Sequence, residues 1–514
     1  MQDDRSSLTS ANDNITLQTG SEFDADVMSL RKSAFSASRW TTASLLTRAS
    51  LQIVQTMVLA RLLTPADFGL MAIISAIYAI VSLFVDLGLS NALIHFPEPS
   101  PPTLSTLYWL NLGAAAVMML AFVALAWPIT LLYHQPALFA VMIVMSLSMP
   151  LAAVGQQFRV LAEKELRFTK LTVIEVIAAI CGFAAALLVA KLDGGVYALV
   201  AATLVSVAIS SALAWTFLSN GFRPSLHFDL GEARAFLHYG SYRLGETLFN
   251  SLLSQADVLI GGTIAGSSAM GVYTVPRDLS LKLANTVINP VVTRVGLPVM
   301  AKVQGDKATL KSVYLQTLRM TSSVNFPIYA ALAVWSNEAV AILLGGQWHQ
   351  AGPFMRLFAV WGLIRSTGNP VGSLQYATGR VRQAFWWTLS ILLIVPVPLY
   401  LGAQLGGMSG LVAVMLGIQV LIFYPLYRLM VRPACGASFR DYVGELLPPL
   451  VASAIAAALG IICSSLVFPQ NTWTRIIGGG TVFIAVYVGA SYAINRPWIA
   501  NMLELLRPVL KRGK

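Results

Sequence analysis

The chain has 514 residues, of which 56% are hydrophobic and 11% are charged, with a formal net charge of +11. Soluble domains carry about 25% charged residues, so this composition excludes an ordinary soluble protein and indicates an integral membrane protein. The positive charge predicts no nucleic-acid partner, because the Lys and Arg residues cluster in alternate loops between apolar stretches. Such alternation is typical of membrane topology.

Residues 1–28 are polar and lack hydrophobic periodicity, so we expect a disordered cytoplasmic tail. The segment has no basic n-region followed by an apolar h-region, and we therefore expect no signal peptide. Met28, followed by SLRKSAF, is an alternative translation start.

Fourteen apolar stretches follow, each near the ~20 residues that a helix needs to cross a bilayer. They lie at 40–60, 68–94, 106–127, 137–158, 171–190, 195–218, 237–263, 268–293, 320–344, 353–377, 384–404, 408–430, 446–468 and 475–495. The predicted fold class is therefore an all-α polytopic membrane protein. Every second loop is basic, beginning at Arg31 and Lys32, so both termini are expected in the cytoplasm.

A polar segment with Pro and Gly at 219–235 divides the chain. We predict an N-terminal six-helix lobe at 29–220, a C-terminal six-helix lobe at 221–440, and an extra helix pair with a basic cytoplasmic tail at 441–514. Between the fourth and fifth spans, GQQFRVLAEKELRFTKL at 155–171 is basic and amphipathic. We expect it to form a cytoplasmic elbow that lies on the inner leaflet.

Polar residues are concentrated on one face of each of the first two spans. Arg48 lies in the middle of the first polar face, which also holds Gln52 and Gln55, and Asp86 ends the second. Three interpretations of Asp86 stay open: a buried partner of Arg48, a proton or cation site, or a residue near the cytoplasmic interface.

The seventh and eighth spans carry more charge than any others. At a 3.6-residue period, one face of the seventh span holds Arg243, Glu246, Asn250 and Asp257. One face of the eighth span holds Asp278, Lys282, Asn285 and Asn289. Arg277 lies about a hundred degrees away from that second face. A charge at the bilayer centre costs about 2.5–3.5 kcal/mol, so such residues usually face a protein interior or a water-filled cavity. The pattern predicts a hydrated, mostly cationic cavity. Ion pairs that only lock the helices together, Arg243 with Glu246 or Asp278 with Lys282, are the alternative.

The positive charge of the predicted cavity favours an anionic ligand. Its cationic candidates, Arg48, Arg243, Arg277, Lys282 and Arg365, suit phosphate oxygens, for which arginine has bidentate geometry. The carboxylates Asp86, Glu246 and Asp257 are candidates for coupling transport to an H⁺ or Na⁺ gradient; that they only neutralise the arginines is equally open.

No nucleotide-binding, nucleophile or metal motif occurs, and the cysteines Cys181, Cys435 and Cys463 show no metal or disulfide spacing. We therefore expect a transporter without catalytic residues, metal or cofactor.

Several sequence strings resemble the polysaccharide-transporter (Wzx-type flippase) branch of the multidrug/oligosaccharidyl-lipid/polysaccharide exporter superfamily. In family order they are RLLTPADFGLMA at 61–72, DLGLSNALIH at 86–95, LSTLYWLNL at 104–112, GQQFRVLAEKELRF at 155–168, INPVVTRVGLPVMAKVQ at 288–304 and RSTGNPVGSLQYATGR at 365–380. The resemblance implies a V-shaped, alternating-access arrangement of two lobes, with cavity walls from spans 1, 2, 7 and 8.

The resemblance also implies a substrate: an undecaprenyl-pyrophosphate-linked oligosaccharide that is moved across the bacterial inner membrane for exopolysaccharide, lipopolysaccharide or O-antigen synthesis. A polysaccharide polymerase and chain-length or export proteins would be its protein partners. Arg48 and Arg277 fall in spans where related flippases carry cavity arginines. Arg294, inside INPVVTR, would be a gate or headgroup contact, or an interface anchor.

Two other functions stay open. A drug or cation antiporter of the same superfamily would have a more acidic and aromatic cavity. A membrane polysaccharide polymerase would need a long periplasmic loop, which the sequence lacks.

Overall fold

The computed structural model describes residues 47, 50–96, 99–283, 296–467, 472–496 and 498–499, without the side chains of Tyr242, Arg243, Glu246 and Leu283. The predicted tail at 1–28 lies outside these residues. Within them the chain is helical and has no β-strand, which confirms the all-α class. Eight helical stretches in the described residues are long and apolar enough to cross a membrane, with Ala137–Lys164 and Val381–Cys435 each counted as one stretch. The number is nine if one sharply bent pair, Lys307–Val334 and Ser336–Leu343, forms one span. The count of fourteen stays a prediction.

Eight described helices belong to the predicted N-terminal lobe at 29–220. They are α1 (50–62), α2 (Pro65–Asp86), α3 (Leu89–His95), α4 (Pro101–Tyr133), α5 (Ala137–Ser146), α6 (Ser148–Lys164), α7 (Phe168–Lys191) and α8 (Tyr197–Leu218). A capping box between Thr64 and Asp67, with Pro65 in the first turn, fixes the start of α2.

The expected inner-leaflet elbow is wrong for residues 155–164. They continue α6 as an α-helix, and Gly155, Gln157, Phe158, Val160 and Ala162 are buried inside the N-terminal lobe. The segment is basic and amphipathic because its apolar face packs against protein rather than lipid.

The C-terminal lobe begins with the two long polar helices. Its described helices are α9 (Leu230–Ile264), α10 (Ser267–Leu283), α11 (Leu297–Lys302), α12 (Lys307–Val334), α13 (Ser336–Leu343), α14 (Ala351–Ser366), α15 (Asn369–Ala377), α16 (Val381–Ile394), α17 (Pro396–Leu426) and α18 (Arg432–Cys435). A π-helical turn, Tyr427–Val431, joins α17 to α18.

Helix α17 reverses direction at Gly406 and Gly407. Gly407 has φ 57° and ψ −145°, a conformation that favours glycine. A Cβ built on Gly410 would lie 2.1 Å from the carbonyl oxygen of Gly402, so the two arms of α17 run side by side. The predicted spans at 384–404 and 408–430 are therefore two separate helical arms.

The extra helix pair consists of α19 (Phe439–Leu466) and α20 (Thr472–Ile494). It packs on α12, where the Tyr487 hydroxyl donates to the Ser323 carbonyl and Asn495 Nδ2 donates to Ser323 Oγ at 2.8 Å. None of the residues that line the cavity described below belongs to this pair.

The two lobes touch through α2 at both of its ends. At one end Gly69 faces Gly271 of α10, where a Cβ on Gly271 would lie 1.7 Å from the Pro65 carbonyl oxygen. At the other end Gly88 faces Gly240 of α9, where a Cβ on Gly240 would lie 2.3 Å from the Leu87 carbonyl oxygen. No side chain fits at either contact without a backbone shift, and these contacts place α2 directly against α9 and α10.

Candidate functional site

A cavity of about 280 Å³ lies between the two lobes. Its lining residues come from α1 and α2 on one side, from α9 and α10 on the other, and from Leu199 of α8: Gln52, Thr56, Phe68, Met71, Ala72, Ser75, Ala76, Gln255, Val258, Thr274, Val275, Arg277, Asp278, Leu279 and Lys282. These four helices are the first, second, seventh and eighth predicted spans.

A buried ion pair joins the two charged helices. Arg277 Nε lies 2.7 Å from Asp257 Oδ2, and Arg277 Nη2 lies 3.1 Å from Asp257 Oδ1, which is bidentate geometry. The Tyr273 hydroxyl also donates to Asp257 Oδ2, and Arg277 Nη2 donates to the Ser254 carbonyl. Asp257 is 3% exposed and Arg277 9%. The pair locks α9 to α10, as the sequence alternative of structural ion pairs anticipated, but with different partners.

The local sequence of α10 places two further charges on the cavity wall. Asp278 Oδ1 accepts from Arg277 Nη1 at 3.3 Å, and its side chain is 52% exposed. Lys282 lies one helical turn later, within electrostatic range of Asp278. Pro276 removes a backbone N–H from α10 immediately before Arg277.

Arg365 of α14 completes the charged group. Its guanidinium lies 5.0 Å from the centre of the Trp361 ring, a cation–π contact, and the residue is not among those that line the cavity. It lies within electrostatic range of both Arg277 and Asp257. Among the described side chains of this group, three positive charges face two negative ones.

Asp86 forms a separate polar centre at the far end of α2. Its Oδ1 accepts from Gln156 Nε2 at 2.6 Å, from Ser90 Oγ at 2.5 Å and from Ser90 N at 3.3 Å. The centre is next to Gly88, which contacts α9 at Gly240, about 25 Å along the α9 axis from Asp257. The hydrogen-bond partners of Asp86 within the described residues are thus neutral. Sequence reasoning missed Gln156, whose only signal was a Gln pair inside an otherwise amphipathic stretch.

Several predicted site residues cannot be placed in this geometry. Arg48 and Arg294 lie outside the described residues, as do Asn285 and Asn289. Arg243 and Glu246 belong to α9, but their side chains are not described. The structure therefore brings together Asp257, Arg277, Lys282 and Arg365 and keeps Asp86 apart from them.

The family model described as polysaccharide biosynthesis protein matches residues 58–353 of the chain. Among curated proteins, the lipopolysaccharide biosynthesis protein WzxC of Escherichia coli (strain K12) is 31% identical over 440 residues, which are 85% of this chain and 89% of WzxC. Residues 58–353, which the family model matches, contain both charged helices, the contacts of α2 with them and the Asp86 centre.

Two solved structures have a similar fold. The lipid II flippase MurJ, in an inward closed conformation, aligns with a TM-score of 0.66 at 13% identity, over 90% of this chain and 100% of that chain. An inward-facing multidrug resistance MATE family transporter of the MOP superfamily aligns with a TM-score of 0.59 at 12% identity, over 77% of this chain and 99% of that chain. At these identities the likeness concerns the fold, and it agrees with a polytopic, MOP-type helical arrangement.

Proposed function

Because this chain belongs to the family of polysaccharide biosynthesis proteins, we propose that it is a flippase for undecaprenyl-pyrophosphate-linked oligosaccharides. It would move repeat units from the cytoplasmic to the periplasmic leaflet of a bacterial inner membrane, with both of its termini in the cytoplasm. The fold shared with MurJ, a lipid II flippase, supports this proposal.

The observation that carries the proposal is a charged wall inside a cavity that both lobes enclose. A diphosphate needs several charge-assisted N–H donors. Arg277 already donates to Asp257, Asp278 and Ser254. Lys282 lines the cavity and has no carboxylate within salt-bridge distance among the described residues, so its N–H groups would contact the pyrophosphate first. Arg365, which is outside the lining residues, would add positive charge beside it. Arg48 and Arg243 would add to them on α1 and α9.

The contacts at both ends of α2 supply the surfaces that alternating access would open in turn. Beside the Gly69–Gly271 contact, Trp348 Nε1 donates to the Ala60 carbonyl at 2.7 Å, and the Trp348 and Phe68 rings meet at 5.3 Å. Beside the Gly88–Gly240 contact, the rings of His95 and Tyr239 stack at 4.6 Å. At each step of the transport cycle, one of these two contacts would open while the other stays closed.

Gradient coupling, to H⁺ or Na⁺, would use a carboxylate whose charge is not already neutralised. Asp257 is held by Arg277. The partners of Asp86 among the described residues are the neutral Ser90 and Gln156. We therefore rank Asp86 above Asp257, and Glu246 stays a candidate.

Deletion of the gene and complementation in its host tests the function. The complementing copies are wild type, Lys282→Gln/Arg365→Gln, and Lys307→Gln as a control that removes one positive charge from the exposed start of α12. We expect wild type and the control to restore surface polysaccharide. The double variant should leave lipid-linked repeat units on the cytoplasmic leaflet.

Full rescue by the double variant would contradict the cationic-wall assignment but not the flippase. Unchanged polymer after deletion, together with altered sensitivity to cationic drugs, would instead identify a drug antiporter. The polymerase and export proteins that would receive the flipped units remain part of this proposal.

A further inference from the structure

A second cavity, of about 300 Å³, lies on the other side of α1. Its wall on α1 holds Leu51, Gln52 and Gln55, and its opposite wall comes from α7 and α8. Gln52 lines both this cavity and the charged cavity between the lobes. The two spaces are therefore neighbours that share one glutamine.

The described lining of the second cavity is polar but uncharged. Besides Gln52 and Gln55 its polar lining residues are Thr203 and Ser206, and no Asp, Glu, Lys or Arg is among the lining residues that the structure describes. The Thr203 hydroxyl donates to the Leu199 carbonyl within its own helix. In the part of the chain that the structure describes, the side chains of Gln52, Gln55 and Ser206 have no hydrogen-bond partner. At membrane depth such groups bind water or a polar ligand, since they gain nothing from hydrocarbon.

The donor and acceptor set of this cavity matches sugar hydroxyls. A glutamine amide offers one acceptor oxygen and two N–H donors, and a serine hydroxyl both donates and accepts. Hydroxyl groups need that combination, whereas a phosphate needs donors alone. Phe183 adds an aromatic ring, and Gly182 lets α7 and α8 pack closely, because a Cβ there would lie 2.5 Å from the Ala202 carbonyl oxygen. The volume is at the lower end of the roughly 300–1,000 Å³ typical of ligand pockets.

We propose that this cavity is a subsite for an uncharged sugar of the lipid-linked oligosaccharide, with the pyrophosphate in the charged cavity beyond Gln52. The inference rests on the proposed flippase function and makes it more specific. It assigns sugar recognition to the N-terminal lobe, through Gln52, Gln55 and Ser206, and headgroup recognition to the charged wall of α9 and α10.

Binding to the purified full-length protein in lipid nanodiscs tests the subsite. The probes are undecaprenyl pyrophosphate and the lipid-linked oligosaccharides extracted from the deletion strain. The variant is Gln55→Leu/Ser206→Ala, because both positions line the second cavity and neither lines the charged one. Loss of two neutral hydrogen bonds should weaken binding of the oligosaccharide lipid by roughly 10- to 100-fold and leave binding of undecaprenyl pyrophosphate unchanged.

Neither substituted side chain has a hydrogen-bond partner among the described residues, so the thermal unfolding midpoint of the variant should match wild type. Ser206→Ala alone serves as a milder variant. The subsite is overturned if the variant binds both probes equally more weakly, or if its binding of neither probe changes. Unchanged binding would mean that the cavity holds water only. If wild type binds neither probe more tightly than phosphatidylglycerol, the flippase proposal fails as well. If wild type prefers the oligosaccharide lipid and the variants keep that preference, the subsite alone fails.

Discussion

Two aspartates, one in each predicted lobe of this protein, accept hydrogen bonds from neighbouring helices and are satisfied in different ways. Asp257 in the C-terminal lobe shares two charge-assisted hydrogen bonds with Arg277 and one hydrogen bond with Tyr273. Asp86 in the N-terminal lobe accepts from Ser90 and Gln156, both neutral. Asp257 is thus paired with a cation, whereas the described partners of Asp86 are neutral.

The difference indicates that Asp257 is suited to a structural role and Asp86 to coupling transport to an ion gradient. Removing one member of a buried ion pair leaves an uncompensated charge, so Asp257 is suited to a structural role. The bonds to Asp86 use one carboxylate oxygen, Oδ1, among the described contacts, so a protonated carboxyl could keep accepting them. The same substitution, Asp to Asn, should therefore have unequal effects in the two lobes.

The largest expected effect is that of Asp257→Asn. It removes the buried carboxylate paired with Arg277 and leaves only the half-exposed Asp278 beside that guanidinium, and we expect a loss of about 3–5 kcal/mol in the free energy of unfolding. Denaturant titration in detergent micelles would measure it. The double variant Asp257→Leu/Arg277→Met removes both charges and should recover most of the loss, since apolar replacement of a whole buried pair is often neutral. A double variant as unstable as the single one would refute this explanation.

The sequence predicted most of the helices but not how they meet. Hydropathy placed the spans at 384–404 and 408–430 on either side of the reversal at Gly406 and Gly407. It misjudged residues 155–164, because amphipathicity reports an apolar face and not whether lipid or protein covers it. Length and composition show that a helix is able to span a bilayer, but they do not fix where the bilayer lies along the helices. The count of fourteen spans therefore stays a prediction.

For the site, helical periodicity identified the charged residues but not their partners. It grouped Asp278 with Lys282 and left Arg277 a hundred degrees away from them. In the structure that offset turns Arg277 toward Asp257 on the neighbouring helix. Periodicity fixes positions on one helix, whereas the pairing depends on which faces of α9 and α10 meet. The neutral donor Gln156 could not be found for the same reason: its partner Asp86 is 70 residues away in sequence.

A smaller effect is expected from Gln156→Leu. The substitution removes the amide donor to Asp86, and a hydrogen bond to a charged group contributes about 1.5–3 kcal/mol. The free energy of unfolding should fall by that amount when Asp86 is ionised. Gln135→Leu, in the turn between α4 and α5, is the control, because Gln135 makes no side-chain hydrogen bond among the described residues. Stability equal to the control would mean that water replaces the amide at Asp86.

The smallest effect on stability is expected from Asp86→Asn, the counterpart of the first substitution. Asparagine keeps an oxygen that can accept from Ser90 and Gln156, so the free energy of unfolding should change by less than about 1 kcal/mol. Transport should respond differently: if Asp86 carries the coupling ion, flipping of repeat units in membrane vesicles should lose its dependence on an imposed H⁺ or Na⁺ gradient. Asp67→Asn, in the capping box of α2, is a matched control that should keep that dependence. Gradient dependence that survives in Asp86→Asn would move the coupling site to another carboxylate, and a loss of stability as large as that of Asp257→Asn would mean that the two aspartates play the same structural role.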